Sequence, residues 1–539
     1  MDATKSQPLP FSIKLWPPSK NTRQMLLARI TDNLTSKSIF TQKYGNLSKE
    51  EAEENAKRIE DVAFTTANQH YENEPDGDGS SAVQRYAKEC SKLILEALKR
   101  GPTKKENGEV VVVSKEITEP GDTVFDISSG KRAFIEAKEA EEILEPLTKP
   151  GKSYTKICFS NRSFGREAAR VAEPILASVK HHLKEVDLSD FVAGREEEEA
   201  LEVMNIFSAA LEGAVLKNLN LSNNALGEKG VRAFEALLKS QSGLEELRLI
   251  NNGISEEAAQ AVSELIPSTE KLKVLQFHNN MTGDQGAVAI AKMVKQSPLL
   301  EDFRCSSTRV GSEGGIALAE ALEVCTHLKK LDLVDNMFGP EAGVALSKAL
   351  SNYSSLTEIY LNYLNLEDEG ASAIATALKE SAPSLEVLEM AGNDITVDCA
   401  PSLVACIAAK QHLIKLNLGE NELKDEGAIQ ISKALEGHLH LKEVDMNTNY
   451  LGRVGARVLA KVVVQNPDFR YLNIDGNYIS DEGVDEVKEI FEKFPDKLGP
   501  FDENDPEGGD DDDDEESVEK DGDEELESKL KNLEVKAEE

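Results

Sequence analysis

The fold is decided by the stretch LKNLNLSNNALG at residues 216–227, in which leucines alternate with polar residues ahead of an asparagine. The pattern returns as LEELRLINNGI at 244–254 and as LKVLQFHNNMTG at 272–283, so successive units are 28 residues apart. The asparagine position continues, with one step of 29 residues, through Thr308, Asn336, Leu364, Asn393, Asn421, Asn449 and Asn477. A period held over ten units in register predicts a repeat array.

Each unit combines a short strand with a helix. Alternate residues of the leucine pattern face a core, which predicts a strand, and the asparagine side chain can bond the backbone where the chain leaves that strand. Apolar residues at helical spacing follow, as in GVRAFEALLKS at 230–240. Two weaker units, at 154–162 and 183–191, bring the array to about twelve repeats over residues 151–497. We predict an α/β fold, a leucine-rich-repeat horseshoe of the ribonuclease-inhibitor type.

The residue between the two leucines of each strand is expected to face the inner surface of the horseshoe. These residues are polar at first and acidic later: Asp187, Asn220, Arg248, Gln276, Arg304, Asp332, Tyr360, Glu389, Asn417, Asp445 and Asn473. Such a surface favours a protein partner over an apolar small-molecule pocket.

The second unit is longer than the others. After Asp190 the sequence reads FVAGR at 191–195, then four glutamates, and the asparagine position that follows Phe191 comes 33 residues later instead of 28. An insertion in a repeat array maps to a loop at its edge, where functional residues concentrate. The alternative is a tolerated surface insertion.

Residues 1–102 are predicted to form a small helical domain ahead of the repeats. Trp16, Pro17 and Pro18 lead into an apolar stripe at helical spacing, and two more helical segments follow. An exposed tryptophan would mark a docking surface, because tryptophan is enriched at binding hot spots. The alternative is a tryptophan buried in a small core.

Two further segments complete the predicted organisation. Residues 103–150 read as a charged linker with candidate strands at 110–113 and 124–127, then a helix over KRAFIEAKEAEEILEPL at 131–147 that caps the first repeat. Residues 498–539 contain long runs of acidic residues, which predicts a disordered acidic tail. Such a tail is compatible both with solubilising the chain and with attracting a basic partner.

Composition excludes several classes of function. The formal net charge of -37 repels nucleic acid and anionic membranes, so a basic protein is the favoured partner. No apolar run reaches the roughly 18 residues that span a bilayer, so direct membrane insertion is not expected. Six scattered cysteines form no metal motif, and Ser129-Gly130-Lys131 is not a phosphate loop because position 125 is Phe. We expect no metal, nucleotide or other cofactor on this chain.

Three features together resemble one known family. The stretch FSNRSFGREAARVAEPILASV at 159–179, running into LSDFVAGR at 188–195, is similar to the opening repeats of the Ran GTPase-activating proteins. The stretch WPPSKNTRQMLLARITDNLTSKSIF at 16–40 resembles the WPP domain of plant proteins that gather at the nuclear envelope. With the acidic tail, this combination is specific to the plant members of the family.

The resemblance implies an activator of a GTPase and not an enzyme in its own right. Its partner would be Ran-GTP, and the partner would bind the GTP and magnesium. Family members are understood to fix the catalytic glutamine of Ran without an arginine finger. The important arginine of the family matches Arg195, and its key asparagines match Asn224 and Asn251. Asn224 is also a repeat position, so its alternative role is structural, whereas the repeat does not require Asn251.

The resemblance also implies where the protein acts. Trp16, Pro17 and Pro18 would mark a targeting domain that binds anchoring proteins of the nuclear envelope, expected to be coiled coils. This would place conversion of Ran-GTP to Ran-GDP on the cytoplasmic side of the nuclear envelope, in support of nucleocytoplasmic transport and mitosis. The cell plate and the spindle are candidate locations during division. The alternative function is a leucine-rich-repeat scaffold or inhibitor that does not stimulate a GTPase.

Overall fold

The computed structural model describes residues 16–18, 20–35, 49–73, 80–100, 123–129, 132–151 and 153–507. The chain divides into two compact units, Met1–Glu116 and Ile117–Glu539, and each has its own hydrophobic core. The candidate strand at 110–113 and most of the predicted acidic tail lie outside the described residues.

Three described helices, α1 (Lys20–Thr35), α2 (Lys49–Asn73) and α3 (Ser80–Arg100), build the N-terminal unit. Trp16 is 2% exposed and lies in the core of this unit. Its ring stacks on Phe64 with centroids 5.3 Å apart, and it meets Tyr86 edge-on at 5.4 Å. Its indole N–H donates to Asn68 Oδ1 at 3.2 Å. The interpretation of Trp16 as an exposed docking residue is therefore wrong, because a large aromatic ring with one satisfied donor completes this small core.

A buried carboxylate ties the three helices together. Arg23 donates from Nε to Glu60 Oε1 at 2.5 Å and from Nη2 to Oε2 at 2.8 Å, and the Tyr86 hydroxyl donates to the same carboxylate. Burial by itself raises the pKa of Glu60, but the hydrogen bonds from Arg23 and Tyr86 outweigh it, so the net pKa is lowered. A carboxylate with a lowered folded-state pKa contributes stability above its unfolded pKa and loses it as the pH falls.

We expect Glu60→Gln to destabilise the N-terminal unit by about 1–3 kcal/mol at neutral pH, since the charged hydrogen bonds to Arg23 and Tyr86 weaken. The difference in unfolding free energy between Glu60→Gln and the unchanged protein should shrink as the pH falls below 4.5, the ordinary pKa of a glutamate. Trp16 is the single tryptophan of the chain, so urea unfolding followed by its fluorescence reports this unit alone. Asp61→Asn, an adjacent exposed carboxylate, is the control. An equal pH dependence in the Glu60→Gln and unchanged proteins would contradict the assignment.

A parallel sheet of thirteen strands forms the spine of the second unit. Its strands are β1 (Thr123–Asp126), β3 (Tyr154–Cys158), β5 (Glu185–Asp187), β6 (Asn218–Asn220), β7 (Glu246–Arg248), β8 (Val274–Gln276), β9 (Asp302–Arg304), β10 (Lys330–Asp332), β11 (Glu358–Tyr360), β12 (Val387–Glu389), β13 (Lys415–Asn417), β14 (Glu443–Asp445) and β15 (Tyr471–Asn473). A separate two-stranded sheet consists of β2 (Ala133–Ile135) and β4 (Arg162–Phe164).

Helices follow the strands and pack against one another along the array. They are α4 (Ala137–Thr148), α5 (Arg166–Val179), α6 (Glu197–Leu211), α7 (Gly227–Ala233), α8 (Glu235–Lys239), α9 (Glu256–Leu265), α10 (Gly283–Lys295), α11 (Ser312–Leu322), α12 (Gly339–Leu350), α13 (Glu367–Glu380), α14 (Ala400–Ala409), α15 (Lys424–Leu435), α16 (Arg453–Val464) and α17 (Asp481–Ile490). Short 3-10 helices cover Lys180–His182, Val397–Cys399 and Pro495–Lys497. The repeated strand-and-helix unit with a parallel sheet confirms the predicted α/β leucine-rich-repeat fold.

The segment assigned to a linker and a capping helix contributes a strand to the large sheet. β1 pairs in parallel with β3, so the array has one strand more than the twelve that lie within residues 151–497. The predicted helix at 131–147 is wrong in its first part, where β2 forms, and α4 begins only at Ala137. Pairing with β4 and burial of Ile135 in the core override the helical spacing of this stretch.

The asparagine positions form a buried ladder at the end of the strands. Asn252 Oδ1 accepts from the backbone N–H of Asn224 at 2.8 Å, and its Nδ2 donates to the Leu221 carbonyl at 3.0 Å. Asn280 repeats the contact by accepting from the N–H of Asn252 at 3.0 Å. Because buried backbone groups need partners, this side chain satisfies the turn where the strand ends.

A second row of buried side chains lies where each helix leads into the next strand. It follows the same repeat period, but the residue type differs from unit to unit. The Tyr353 hydroxyl donates to the Leu322 carbonyl at 2.9 Å, and the Lys410 ammonium donates to the Ser381 carbonyl at 2.6 Å. His438 Nε2 forms the corresponding contact with the Ile407 carbonyl at 3.0 Å. The sequence pattern does not reveal this row, because any side chain with one suitable donor can serve there.

Residues 498–507 pack on the last repeat, so the predicted boundary of the disordered tail at 498 is wrong. The Gly499 N–H donates to the Leu472 carbonyl at 2.8 Å. Asn504 accepts from the N–H of Ile479 at 3.1 Å and donates to its carbonyl at 2.8 Å. These contacts cap the exposed end of the ladder, which a terminal repeat requires. Residues 508–539 lie outside the described part of the chain.

Candidate functional site

The residue before each ladder position lies at the edge where strands turn towards helices. Asn223, Asn251 and Asn279 adopt left-handed conformations there, with φ of 62°, 53° and 55°. Asparagine tolerates this region better than most residues, so the repeat favours its presence at Asn251. Ser307 and Tyr363 occupy the same position with φ of 53° and 56°, so the repeat does not demand asparagine.

These three asparagines form an exposed, hydrogen-bonded row, which we call the asparagine row. Asn251 Nδ2 donates to Asn223 Oδ1 at 3.1 Å, and Asn279 Nδ2 donates to Asn251 Oδ1 at 3.0 Å. A side-chain amide has two N–H donors and two acceptor lone pairs, so Asn251 keeps one of each for another molecule. Its two neighbours hold the amide in place, and the row therefore presents an oriented amide to a partner.

Asn224 is buried and belongs to the ladder. Its Nδ2 donates to the carbonyls of Leu188 and Leu221, both at 2.8 Å. Its Oδ1 accepts from the backbone N–H of Phe191 at 2.9 Å. The side chain thus fastens the start of the FVAGR insertion and is not presented to a partner.

The Arg195 side chain is 9% exposed and is bonded within the protein. Nη1 pairs with Glu136 Oε1 at 2.6 Å, and Nη2 donates to the carbonyls of Ser163 at 2.9 Å and Ile135 at 3.3 Å. The guanidinium also lies 4.9 Å from the centroid of the Phe134 ring. Arg195 therefore joins the insertion to β2 and β4, and both of these strands are elements that the sequence did not predict.

Of the four glutamates after Arg195, Glu196 is the N-cap of α6 and the other three lie in its first turn, so they do not extend the loop. Acidic residues are favourable at a helix N-terminus because of the backbone dipole. Glu199 also accepts from the backbone N–H of Arg166 at 3.0 Å, which ties α6 to the start of α5. The insertion is therefore short and ends at Arg195, just before α6 begins.

The insertion and the asparagine row lie on the same edge of the array. Gly194, Arg195, Asn223 and Asn224 line one cavity of about 660 Å³ between the insertion and the next turn. Asn223 in turn bonds to Asn251. The three repeat residues predicted from the sequence are thus brought together, although only Asn251 presents its side chain to solvent.

Charges on the inner surface of the sheet are largely paired. Arg248 contacts Glu246 at 2.7 Å, and Arg304 contacts Asp332 at 2.6 Å. Burial raises the pKa of Asp302, which lies among these groups and accepts from Gln276 Nε2 at 3.1 Å. This face is polar, as the alternating pattern predicted, and partners within the chain hold its charged groups.

Among the described residues, no group of three or more histidine, cysteine or acidic side chains is arranged to hold a metal ion. All six cysteines are buried and free. Within the same part of the chain, no helix is long and apolar enough to cross a membrane.

Comparison with known families agrees with this division of the chain. Residues 12–108 match the family model described as WPP domain. The model described as Leucine Rich repeat matches residues 214–234, 324–347, 409–432 and 465–487. WPP domain-containing protein 1 of Arabidopsis thaliana is 37% identical over 17% of this chain and 58% of that protein.

Two relatives match along nearly the whole length. RAN GTPase-activating protein 2 of Arabidopsis thaliana is 69% identical over 100% of this chain and 99% of that protein. RAN GTPase-activating protein 1 of the same organism is 66% identical over 98% of this chain and 97% of that protein. An exposed asparagine row beside the FVAGR insertion, a leucine-rich-repeat array and a WPP domain therefore occur in a chain that belongs to the RAN GTPase-activating protein family.

Proposed function

We propose that this chain stimulates GTP hydrolysis by Ran and that Ran supplies the GTP, the magnesium and the hydrolytic residues. The full-length likeness to two proteins named as RAN GTPase-activating proteins supports this function. The structural observation that carries it is the asparagine row, which holds the exposed Asn251 amide between two neighbours. The chain itself would hold neither nucleotide nor metal and would act as an activator.

The chemistry of GTPases explains how one oriented amide would help. A GTPase alone is slow because its attacking water and catalytic glutamine are poorly placed, and full stimulation reaches about 10⁵-fold in systems with an arginine finger. That factor corresponds to roughly 7 kcal/mol of barrier. The Asn251 amide has a free donor and a free acceptor, which suit the side-chain amide of a glutamine on the partner. Arg195 is enclosed by its own contacts, which supports a positioning role and not that of a finger.

For the N-terminal unit we propose attachment to the cytoplasmic side of the nuclear envelope through coiled-coil anchoring proteins. The match to the WPP domain family supports this assignment, as does likeness to MFP1 attachment factor 1 of Solanum lycopersicum, 34% identical over 18% of this chain. Trp16 would act by holding the core of the domain together, while Pro17 is exposed and available for contact.

Two measurements on the same pair of chains test the proposed GTPase stimulation and the proposed anchoring. We expect the full chain and a chain lacking residues 1–102 to accelerate hydrolysis on GTP-loaded Ran at substoichiometric amounts, because the two units have separate cores. Only the full chain should concentrate at the nuclear rim. Binding of Ran without faster hydrolysis would instead identify a scaffold or inhibitor. Rim localisation of the shortened chain would refute the anchoring role.

A further inference from the structure

A groove lies on the same edge of the array, next to the asparagine row. Its lining includes Asn251, Gly253, Asn279, Met281, Arg309 and Met337, and its volume is about 550 Å³. Met281 is 46% exposed and Met337 is 57% exposed, so the groove has two accessible apolar side chains. Both follow a ladder position, and Arg309 has the corresponding position in the repeat between them. We call this surface the methionine groove.

Arg309 is arranged for an acceptor outside the chain. Its side chain is exposed, and it has no ion pair or hydrogen bond within the part of the chain that the structure describes. By contrast, Arg232, Arg248 and Arg304 each contact a carboxylate. The backbone of Arg309 has φ of 60°, a conformation that Gly253 adopts at the equivalent position without steric cost. The repeat itself favours this conformation, so it is the exposed guanidinium without an internal partner that points to an acceptor outside the chain.

We propose that the methionine groove docks a segment of Ran in which a large apolar side chain lies beside a carboxylate. Methionine side chains adapt to an aromatic or aliphatic group, and the guanidinium fork matches a carboxylate with two parallel hydrogen bonds. Asp335 also lines the groove. Among the described residues, its carboxylate forms no ion pair with Arg309. This inference rests on the proposed function and adds a second point of contact to it.

The position of the groove defines its role. Asn251 and Asn279 belong both to the asparagine row and to the groove lining, so a segment seated between the methionines also lies against the row. The docked segment would hold the partner in register while Asn251 contacts the hydrolytic machinery. A contact made equally in the bound complex and in the transition state lowers KM and leaves kcat unchanged. The groove residues are therefore docking residues and not catalytic ones.

The test is steady-state hydrolysis of Ran-GTP by the full chain carrying Met337→Ala or Arg309→Glu. We expect KM for Ran-GTP to rise about tenfold for each variant, with kcat within about twofold of the unchanged protein. Arg309→Lys should raise KM by less than Arg309→Glu, because lysine keeps the positive charge but lacks the two parallel N–H donors of the guanidinium. Leu439→Ala, an exposed apolar residue elsewhere in the array, and Arg470→Glu, an exposed arginine near the last strand, are the matched controls.

Each outcome decides the proposal. An unchanged KM for both variants would overturn it, and so would a fall in kcat at constant KM, since that would place the groove in the reacting machinery. Surface carboxylates of Ran should be replaced by lysine one at a time. One of these Ran variants should return the raised KM of the Arg309→Glu chain to the low value of the unchanged chain. Absence of any such variant would remove the carboxylate from the assignment. If the unchanged chain fails to stimulate Ran at all, the proposed function fails instead, so the two failures are distinguishable.

Discussion

Replacing Asn251 by glycine is expected to lower kcat for Ran-GTP hydrolysis about 100-fold, the effect of removing one oriented donor from a reacting site. Asn251 is exposed and hydrogen-bonded on both sides, at 3.1 Å to Asn223 and 3.0 Å to Asn279, so its amide is already placed before a partner binds. Glycine is the informative substitution because it accepts the φ of 53° without strain. Any loss of rate then reports the amide and not the backbone.

Two further variants separate the parts of this effect. Asn251→Asp keeps an acceptor and tolerates the conformation but lacks the N–H donor, so it should behave like glycine if donation matters. Thr448→Gly changes the equivalent position in a distant repeat, where φ is 48°, and should leave kcat unchanged. Single-turnover hydrolysis and thermal melting are the measurements. Unchanged turnover in Asn251→Gly would remove this residue from the proposed mechanism.

Arg195→Ala is expected to lower stimulation at least about tenfold through loss of order in the insertion, and to reduce local stability by about 1–3 kcal/mol. The guanidinium bonds Glu136 and the backbone carbonyls of Ile135 and Ser163, so its removal breaks the side-chain contacts that hold the end of the insertion against β2 and β4. Hydrogen exchange over residues 132–136 and 191–195 measures this directly, and protection there should fall with the rate.

The same experiment distinguishes positioning from direct action on the nucleotide. An arginine finger would lose rate while hydrogen exchange stayed unchanged, and that result would contradict the structural assignment. Arg195→Lys should lose most of the stimulation as well, because an ammonium cannot bond the carboxylate and both carbonyls in the geometry of the fork. Arg232→Ala, which removes an exposed arginine paired with Glu228 on α7, is the control.

The candidate site was only partly predictable from the sequence. The resemblance indicates Asn224 and Asn251, and the repeat favours Asn251 as the functional residue because it precedes the ladder residue Asn252 and is not itself required by the repeat; the structure places it on the surface. Resemblance indicated Arg195 as important, but its partners lie 32 to 60 residues away along the chain and follow no period. The sequence does not reveal the methionine groove, because the repeat position of Met281, Arg309 and Met337 follows no consensus residue type along the array.

The sequence by itself determined the repeat array, because one 28-residue period specifies the strand, the ladder side chain and the helix in every unit. Parallel pairing follows, since no single unit can bury its apolar face alone. Tertiary structure alone decided the burial of Trp16, the strand β2 and the packing of residues 498–507. Each of these depends on contacts between segments far apart in the chain, and a local sequence pattern does not specify which distant residues a segment will contact.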